Sequence, residues 1–400
     1  MRDARSPQNQ LASGGLSDYE PAVLLNTILG CLALLSLVLT LWQWYVARRF
    51  PLHRRVVGSA SAPAVTLLKP LKGCDDATEA CLRSWLAQAY AGPVQVLFGV
   101  ASADDPVCAV VRRLLKEFPD ADAQLVVCGP LRGANLKVSK LAELERLAKY
   151  EVLAVSDADV LVPPDFLTNA VEPLHSPEVA LVNCFYRLAN PVTPAMDWEA
   201  VAINGDFWSQ VLQSQSLKPL DFALGAVMVT RRRQLGEIGG FTALQDCLAD
   251  DYQMGNRIAR RGHRIALCPV VVECWSGPMG WGDVWRHQLR WARTIRVCQP
   301  VPYFFSILSN ATFWPLLWAA LYPAGREISF AACFCLTRIG TALNLQQLLT
   351  GAPAPLTKAW LVPVKDVLQA ALWLMSFLGS RVEWRGEKLR LRRDGTLVRS

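Results

Sequence analysis

From Pro21 to Ala47 the chain carries no charged residue, and a run of that kind has few places to go. Its apolar part, Ala22 to Val46, exceeds the ~20 residues that an α-helix needs to cross the hydrocarbon core of a bilayer. It is too long for the apolar region of a secretory signal, and no small-residue cleavage site follows it. Arg48, Arg49, Arg54 and Arg55 follow instead. The expectation is an uncleaved transmembrane anchor over residues 22–46, behind a short amino-terminal tail (residues 1–21). Basic residues beside a span tend to stay on the cytoplasmic side, and residues 1–20 offer only Arg2 and Arg5. The chain after residue 48 is therefore expected in the cytosol, on an inner (cytoplasmic) membrane.

A second uncharged run, Val301 to Gly325, has spanning length too, and Ile328 to Leu349 and Ala359 to Leu378 follow it. Arg338 interrupts the first of these and Lys365-Asp366 the second, and charges at membrane depth face a protein interior or mark a function. Four spans in a multi-pass protein would put the basic tail 381–400 opposite the cytosol, against the positive-inside tendency. Residues 301–380 are thus read as transmembrane or re-entrant segments. The net charge of +7 sits mainly beside the spans and in that tail, which points to an anionic membrane surface and to no nucleic acid. The twelve cysteines form no CxxC pair and no zinc spacing, so reduced thiols are expected.

Between residues 60 and 300 short β-rich runs alternate with helix-like stretches: Val65 to Lys69, Val94 to Val100, Gln124 to Cys128, Val152 to Ser156 and Val179 to Asn183. That alternation predicts an α/β, Rossmann-like domain with a mostly parallel sheet, whose ligands gather at the carboxyl ends of the strands. Polar groups follow three of the runs directly: Lys69-Pro-Leu-Lys72-Gly73, Ala103-Asp104-Asp105-Pro106 and Asp157-Ala-Asp159.

An Asp-x-Asp at a strand end can hold a divalent cation, Mg2+ or Mn2+, that bridges diphosphate oxygens. Asp157 and Asp159 fit that role. A second pair, Asp250-Asp251, lies at the start of a helix-like stretch. Asp251 is the candidate base for an attacking hydroxyl, with Asp250 beside it; the alternative is helix capping by Asp250 with Asp251 favouring the dipole. His287-Gln288-Leu-Arg290-Trp291, flanked by Trp281, Trp285, Arg293 and Arg296, reads as an interfacial amphipathic helix whose guanidinium can also pair with phosphate. Lys69, Lys72 and the lysine of Gly133-Ala-Asn135-Leu-Lys137 are candidates for donor phosphate or ribose. No GxGxxG, Walker loop, HExxH or nucleophile elbow stands in its required context.

Taken in order, KPLKG, DDP, NxK, DADV, ADDYxMG and QLRW behind one anchor resemble the ceramide glucosyltransferase family of the GT21 type, most of all its bacterial hopanoid-associated members that act on bacteriohopanetetrol. The likeness runs from about Leu67 to Pro302. It implies a GT-A fold over residues 60–300, a UDP-sugar donor, a divalent cation, a membrane lipid acceptor and an inverting transfer of a hexose or N-acetylhexosamine. In that likeness Asp105 stands at the nucleotide, with Asp104 beside it a donor-binding candidate, Asp157 at donor and cation, and Asp159 as a second carboxylate that not every member has. Asp251 stands as the presumed base, and Arg290 and Trp291 close a (Q/R)xxRW motif. His287 departs from the pattern, standing where the family has Arg or Gln, with Gln288 one place later. A neutral imidazole can still donate to a phosphate, so the change reads as tolerated. Two other classes compete: a processive polysaccharide synthase, and a nucleotide-binding membrane transporter or scaffold whose polar path is lined by Arg338, Lys365 and Asp366.

Overall fold

The computed structural model describes residues 19–56, 62–384, 387–392 and 394–399. The expected tail with Arg2 and Arg5, and residue 60 where the soluble domain was expected to begin, lie outside them. The first half of the chain forms α1 (Tyr19–Arg49), β1 (Val65–Pro70), α2 (Thr78–Leu86), β2 (Val94–Val100), α3 (Val107–Glu117), β3 (Asp122–Val127), α4 (Leu136–Leu147) and β4 (Val152–Ser156). The four strands pair in parallel in the order β3-β2-β1-β4. Strands β1 and β4 are buried along their whole length, which is why they read as continuous apolar runs rather than alternating ones.

Next come β5 (Val160–Leu161), α5 (Phe166–Val171), β6 (Val179–Leu188), α6 (Pro194–Val201), α7 (Trp208–Gln215), β7 (Val227–Arg231), α8 (Arg232–Glu237), α9 (Asp250–Ala259) and β8 (Arg264–Cys274). They extend the sheet to β3-β2-β1-β4-β7-β6-β8-β5. The expected mostly parallel sheet is parallel over its first four strands and mixed beyond them. Strand β7 runs antiparallel to both β4 and β6, while β6 and β8 are parallel. A strand buried on both faces has the same apolar run in either direction, so its polarity is not written in its composition. Helices cover both faces: Trp85, Phe98 and Phe166 fill one layer, and Phe185, Trp208 and Phe241 the other. Each such buried ring contributes roughly 1.5–3 kcal/mol.

The carboxyl-terminal third comprises α10 (Trp281–Cys298), α11 (Pro300–Phe305), α12 (Phe313–Leu321), α13 (Gly325–Thr350), α14 (Leu361–Ser376), β9 (Arg381–Trp384), β10 (Glu387–Leu391) and β11 (Leu397–Arg399). Among the described residues two helices, Pro21–Arg49 and Gly325–Thr350, are long and apolar enough to cross a membrane. The expected span at 301–325 is instead a pair of helical segments bent by 55°. At the bend the Asn310 side chain accepts from the amide of Phe313, starting a new helix. Helix α14, with 16 residues and two charges, is too short to span.

Side-chain contacts fix the directions. Tyr322 donates to the Ala22 carbonyl (2.8 Å), Trp318 to Asn26 (2.6 Å) and Thr40 to the Ser309 carbonyl (3.3 Å), so α12 runs against α1. Trp44 donates to Asn344 (2.9 Å), so α13 runs with α1 and returns to the α/β domain. Both ends of α14 meet that domain's side: Lys358 pairs with Asp197 of α6 (2.5 Å), and Trp373 donates to the Tyr303 carbonyl (3.0 Å). The basic tail lies on the same side as the α/β domain, because α14 turns back. It is folded as well, into a three-stranded antiparallel sheet, β11-β10-β9.

Candidate active site

The carboxyl ends of β1, β2 and β4 collect the predicted groups. Asp105, in the loop after β2, accepts from the amide of Gly73 (2.9 and 3.1 Å) and from that of Val107 at the start of α3 (3.1 Å). It ties the KPLKG turn to the DDP turn. Gly73 sits at φ +66°, a left-handed conformation that favours glycine. A cleft of about 290 Å³ opens beside this tie, lined by Lys72, Ser102, Asp104, Asp105, Leu136 and Lys140 among others.

The two candidate lysines diverge. Lys69, expected at the donor, is fully buried. Its ammonium donates to the Asp157 carbonyl (2.5 Å) and the Ser156 hydroxyl (3.2 Å) and lies over the Trp85 ring, 5.2 Å from its centroid. It holds the Asp-x-Asp loop from beneath, and burial brings its pKa down to about 8 against the pull of Asp159 and Asp157. The lysine that faces the cleft is the exposed Lys72.

Lys137 is the hub. Asn135 caps α4 by accepting from the amides of Lys137 and Val138, which starts the helix where Lys137 reaches Asp157 Oδ1 (2.8 Å) and Asp250 Oδ2 (3.2 Å). Burial disfavours its charge, but Asp157 and Asp250 outweigh burial and hold its pKa above the usual lysine value. Asp250 accordingly faces Lys137, and the cap position belongs to Ala249, which has no side-chain cap. Asp251 follows in the first turn of α9. Burial, then the charge of Asp250, raise its pKa to about 6, with Lys137 opposing. Its surroundings are tight: a Cβ on Gly225 would stand 2.7 Å from its Oδ2, and one on Gly255 would stand 2.4 Å from the Ala223 nitrogen. The glycine of ADDYxMG is thus a packing residue that lets α9 lie on the segment before β7.

Among the described residues no group of three His, Cys, Asp or Glu side chains is placed to hold a metal ion. A divalent cation fits the two carboxylates Asp157 and Asp159 at the end of β4, because Mg2+ sites commonly use one or two carboxylates and complete their shell with substrate phosphates and water. Asp159 is exposed and Asp157 half-buried, which leaves that side open to a diphosphate.

On α10, His287 Nδ1 lies 2.6 Å and Gln288 Nε2 2.8 Å from the same oxygen of Glu199, a buried carboxylate on α6. A carboxylate oxygen accepts, so the imidazole proton sits on Nδ1, and a neutral ring offers only a lone pair at Nε2. The hydrogen bond expected from neutral His287 to a phosphate is therefore taken by Glu199. Trp291 packs between His287 (4.9 Å) and Phe207 (5.9 Å), and half-buried Arg290 belongs to the same turn of helix.

Glu199, Gly225 and Lys140 were not among the sequence candidates. Glu199 had a signal, one of two carboxylates, with Asp197, in the otherwise apolar stretch Ala195-Met-Asp-Trp-Glu-Ala-Val201.

The description of glycosyl transferase family 21 matches residues 28–397. The chain belongs to glycosyl transferase family 21. It is 26% identical over 224 residues to ceramide glucosyltransferase 3 of Caenorhabditis elegans, covering 55% of this chain and 48% of that one. With ceramide glucosyltransferase 1 of the same organism it shares 24% over 262 residues, or 63% and 54% of the two chains. It thus spans about half the length of these curated relatives. Among solved structures, a mannosyltransferase from Pyrobaculum calidifontis in complex with GDP-Man and Mn2+ superposes with a TM-score of 0.53 at 23% identity, covering 88% of this chain and 98% of that one. That likeness establishes the GT-A fold. This family 21 protein carries its carboxylates at the strand ends of a GT-A domain, beside helices long and apolar enough to cross a membrane.

Proposed function

We propose that the enzyme transfers a hexose or N-acetylhexosamine, with inversion, from a UDP-sugar to the hydroxyl of a membrane lipid of ceramide or hopanoid type. The observation that supports this reading is the Lys137 bridge, which joins Asp157 of the Asp-x-Asp loop to Asp250, the neighbour of Asp251. The cleft lined by Lys72, Asp104, Asp105 and Lys140 takes the nucleotide. Asp157 and Asp159 would hold a divalent cation, which would supply positive charge to the diphosphate. Asp251 takes the proton of the lipid hydroxyl as that oxygen bonds to the anomeric carbon, and the bond from that carbon to the diphosphate breaks with its electrons leaving on UDP. Lys137 and Arg290 add positive charge where the diphosphate departs. A base whose pKa lies near 6 is ionised at neutral pH yet still basic. Arg48, Arg49, Arg54 and Arg55 beside the first span support a cytosolic domain on the cytoplasmic membrane.

The transporter reading loses its ground, since Arg338, Lys365 and Asp366 are consumed in pairs with one another and with Asp206. A processive synthase would need more spans than the two helices and one bent pair found among the described residues. Asp251→Asn is expected to lower transfer from UDP-glucose to ceramide in vesicles by about 10²–10⁴-fold while UDP binding persists. Turnover near the wild-type rate would refute the base assignment.

A further inference from the structure

The sheet β9–β11 sits against residues 246–248, the segment that leads into the active-site helix α9. Helix α9 begins without a capping side chain at Ala249. The residue before that cap, Leu248, is in the position that in many helices packs four residues into its own helix as a hydrophobic staple. Here Leu248 is buried among Val382, Leu389, Leu391 and Leu397 of the terminal sheet. Backbone bonds complete the joint. The Leu397 amide donates to the Asp246 carbonyl (2.7 Å), the Leu248 amide donates to the Gly395 carbonyl (3.3 Å), and Cys247 and Thr396 form an antiparallel bridge. Gly395 has φ +84°, and a Cβ there would stand 3.1 Å from the side-chain Nε2 of Gln253 on α9.

The same sheet reaches α10. The Arg293 guanidinium donates to the Arg381 carbonyl, Arg296 to the Gly379 carbonyl (3.3 Å), and Val297 packs on the apolar side of the sheet. From the opposite side Asn135 grips the same segment, its amide donating to the Gln245 carbonyl (2.7 Å) and its side chain to that of Cys247 (2.8 Å).

We propose that β9–β11 are a positioning clamp that fixes the entry of α9, and with it Asp251, against the HQLRW helix α10. The proposal rests on Asp251 as the base. A displacement of about 1 Å in a reacting group can cost on the order of 10²-fold in rate, and residues 246–248, two to four positions before Asp250, are bonded to residues 395–397 at the start of β11 on one side and to the Asn135 side chain on the other, with no side-chain cap at Ala249. The clamp acts on the chemical step and leaves the nucleotide cleft on β1 and β2 untouched.

The test uses the full chain in lipid nanodiscs, a chain lacking residues 381–400, Leu389→Asp and the conservative Leu389→Met. Two quantities are read: hydrogen exchange of the amides of 246–253, and kcat and donor KM for transfer from UDP-glucose to ceramide. Removal of the sheet and Leu389→Asp should each speed that exchange at least about tenfold and lower kcat at least about tenfold, with donor KM held within about twofold and Leu389→Met near wild type. Unchanged exchange and kcat would overturn the clamp. A donor KM that rises in step with the fall in kcat would overturn it too, since the sheet would then support the whole domain. If the shortened chain does not fold, Leu389→Asp decides by the same readings. If the wild type transfers no sugar, the reading of Asp251 fails, and the exchange alone decides whether the sheet holds the segment.

Discussion

Lys69 and Lys137 look alike in sequence, each a lysine beside a strand end or helix start, and the fold gives them opposite electrostatics. Lys137 is surrounded by carboxylates and keeps its proton, whereas Lys69 is buried under a carbonyl and a hydroxyl with a pKa of about 8. Activity is therefore expected to be bell-shaped in pH. Below about 6 Asp251 gains a proton and the base is lost; above about 8 Lys69 loses its charge, and with it the charge-assisted bond that holds the Asp157 carbonyl. A kcat/KM profile of the wild type checks both limbs. In Lys69→Met the alkaline limb near 8 should vanish while the acid limb stays, with the plateau lowered by about tenfold for a loosened loop. The Asp-x-Asp was legible as a strand-end pair because it directly follows the apolar run of β4, whereas Asp250-Asp251 could as well be read as a helix cap until the cap position proved to be Ala249. Which of Lys69 and Lys72 faces the cleft was not legible, since a fully buried strand gives no alternation from which to read a face.

At the scale of elements, β1 to β4 and β6 were readable from apolar runs punctuated by polar turns, and the outcome matches those runs within a few residues. The antiparallel insertion of β7 was hidden, because its neighbours are chosen by the path through α6 and α7 rather than by its own composition. The pairing of α6 with α10 was hidden for a similar reason: 88 residues separate Glu199 from His287. That pairing is testable. Glu199→Ala removes the shared acceptor of His287 and Gln288, and kcat/KM is expected to fall about 10- to 100-fold, whereas Glu199→Gln keeps an acceptor oxygen and should lose less than about tenfold. Equal losses in steady-state kinetics would show that the charge of Glu199, rather than its hydrogen bonds, sets the orientation of α10.

For the whole molecule, the question left open by the apolar segments was how a basic tail could share a side with the anchor's arginines. The bent pair α11–α12 and the short α14 answer it, for the chain goes out, returns through α13 and stays. The joint between the long apolar helices and the α/β domain is ionic. Arg338 of α13 pairs with Asp206 (2.7 Å), in the π-helical turn after α6, and with Asp366 of α14 (2.9 Å), and Lys365 pairs with both of those acids. Arg338→Met leaves two buried carboxylates to one lysine and is expected to destabilise the protein by about 3–5 kcal/mol, which thermal unfolding in micelles would register as a clear drop in melting temperature. A melting curve like that of the wild type would mean that the network is not a structural joint.

That network also carries an order in time. Asp206 leaves the ribosome 132 residues before Arg338, so its domain can be largely built when α13 emerges. An arginine at the middle of an isolated span costs about 2.5–3.5 kcal/mol to insert, and here its counter-charge waits on the finished soluble half. Arg338 thus meets one partner, Asp206, on a segment already synthesised and the other, Asp366, on a helix still to come, so α13 is neutralised fully only when both flanking parts of the chain are in place.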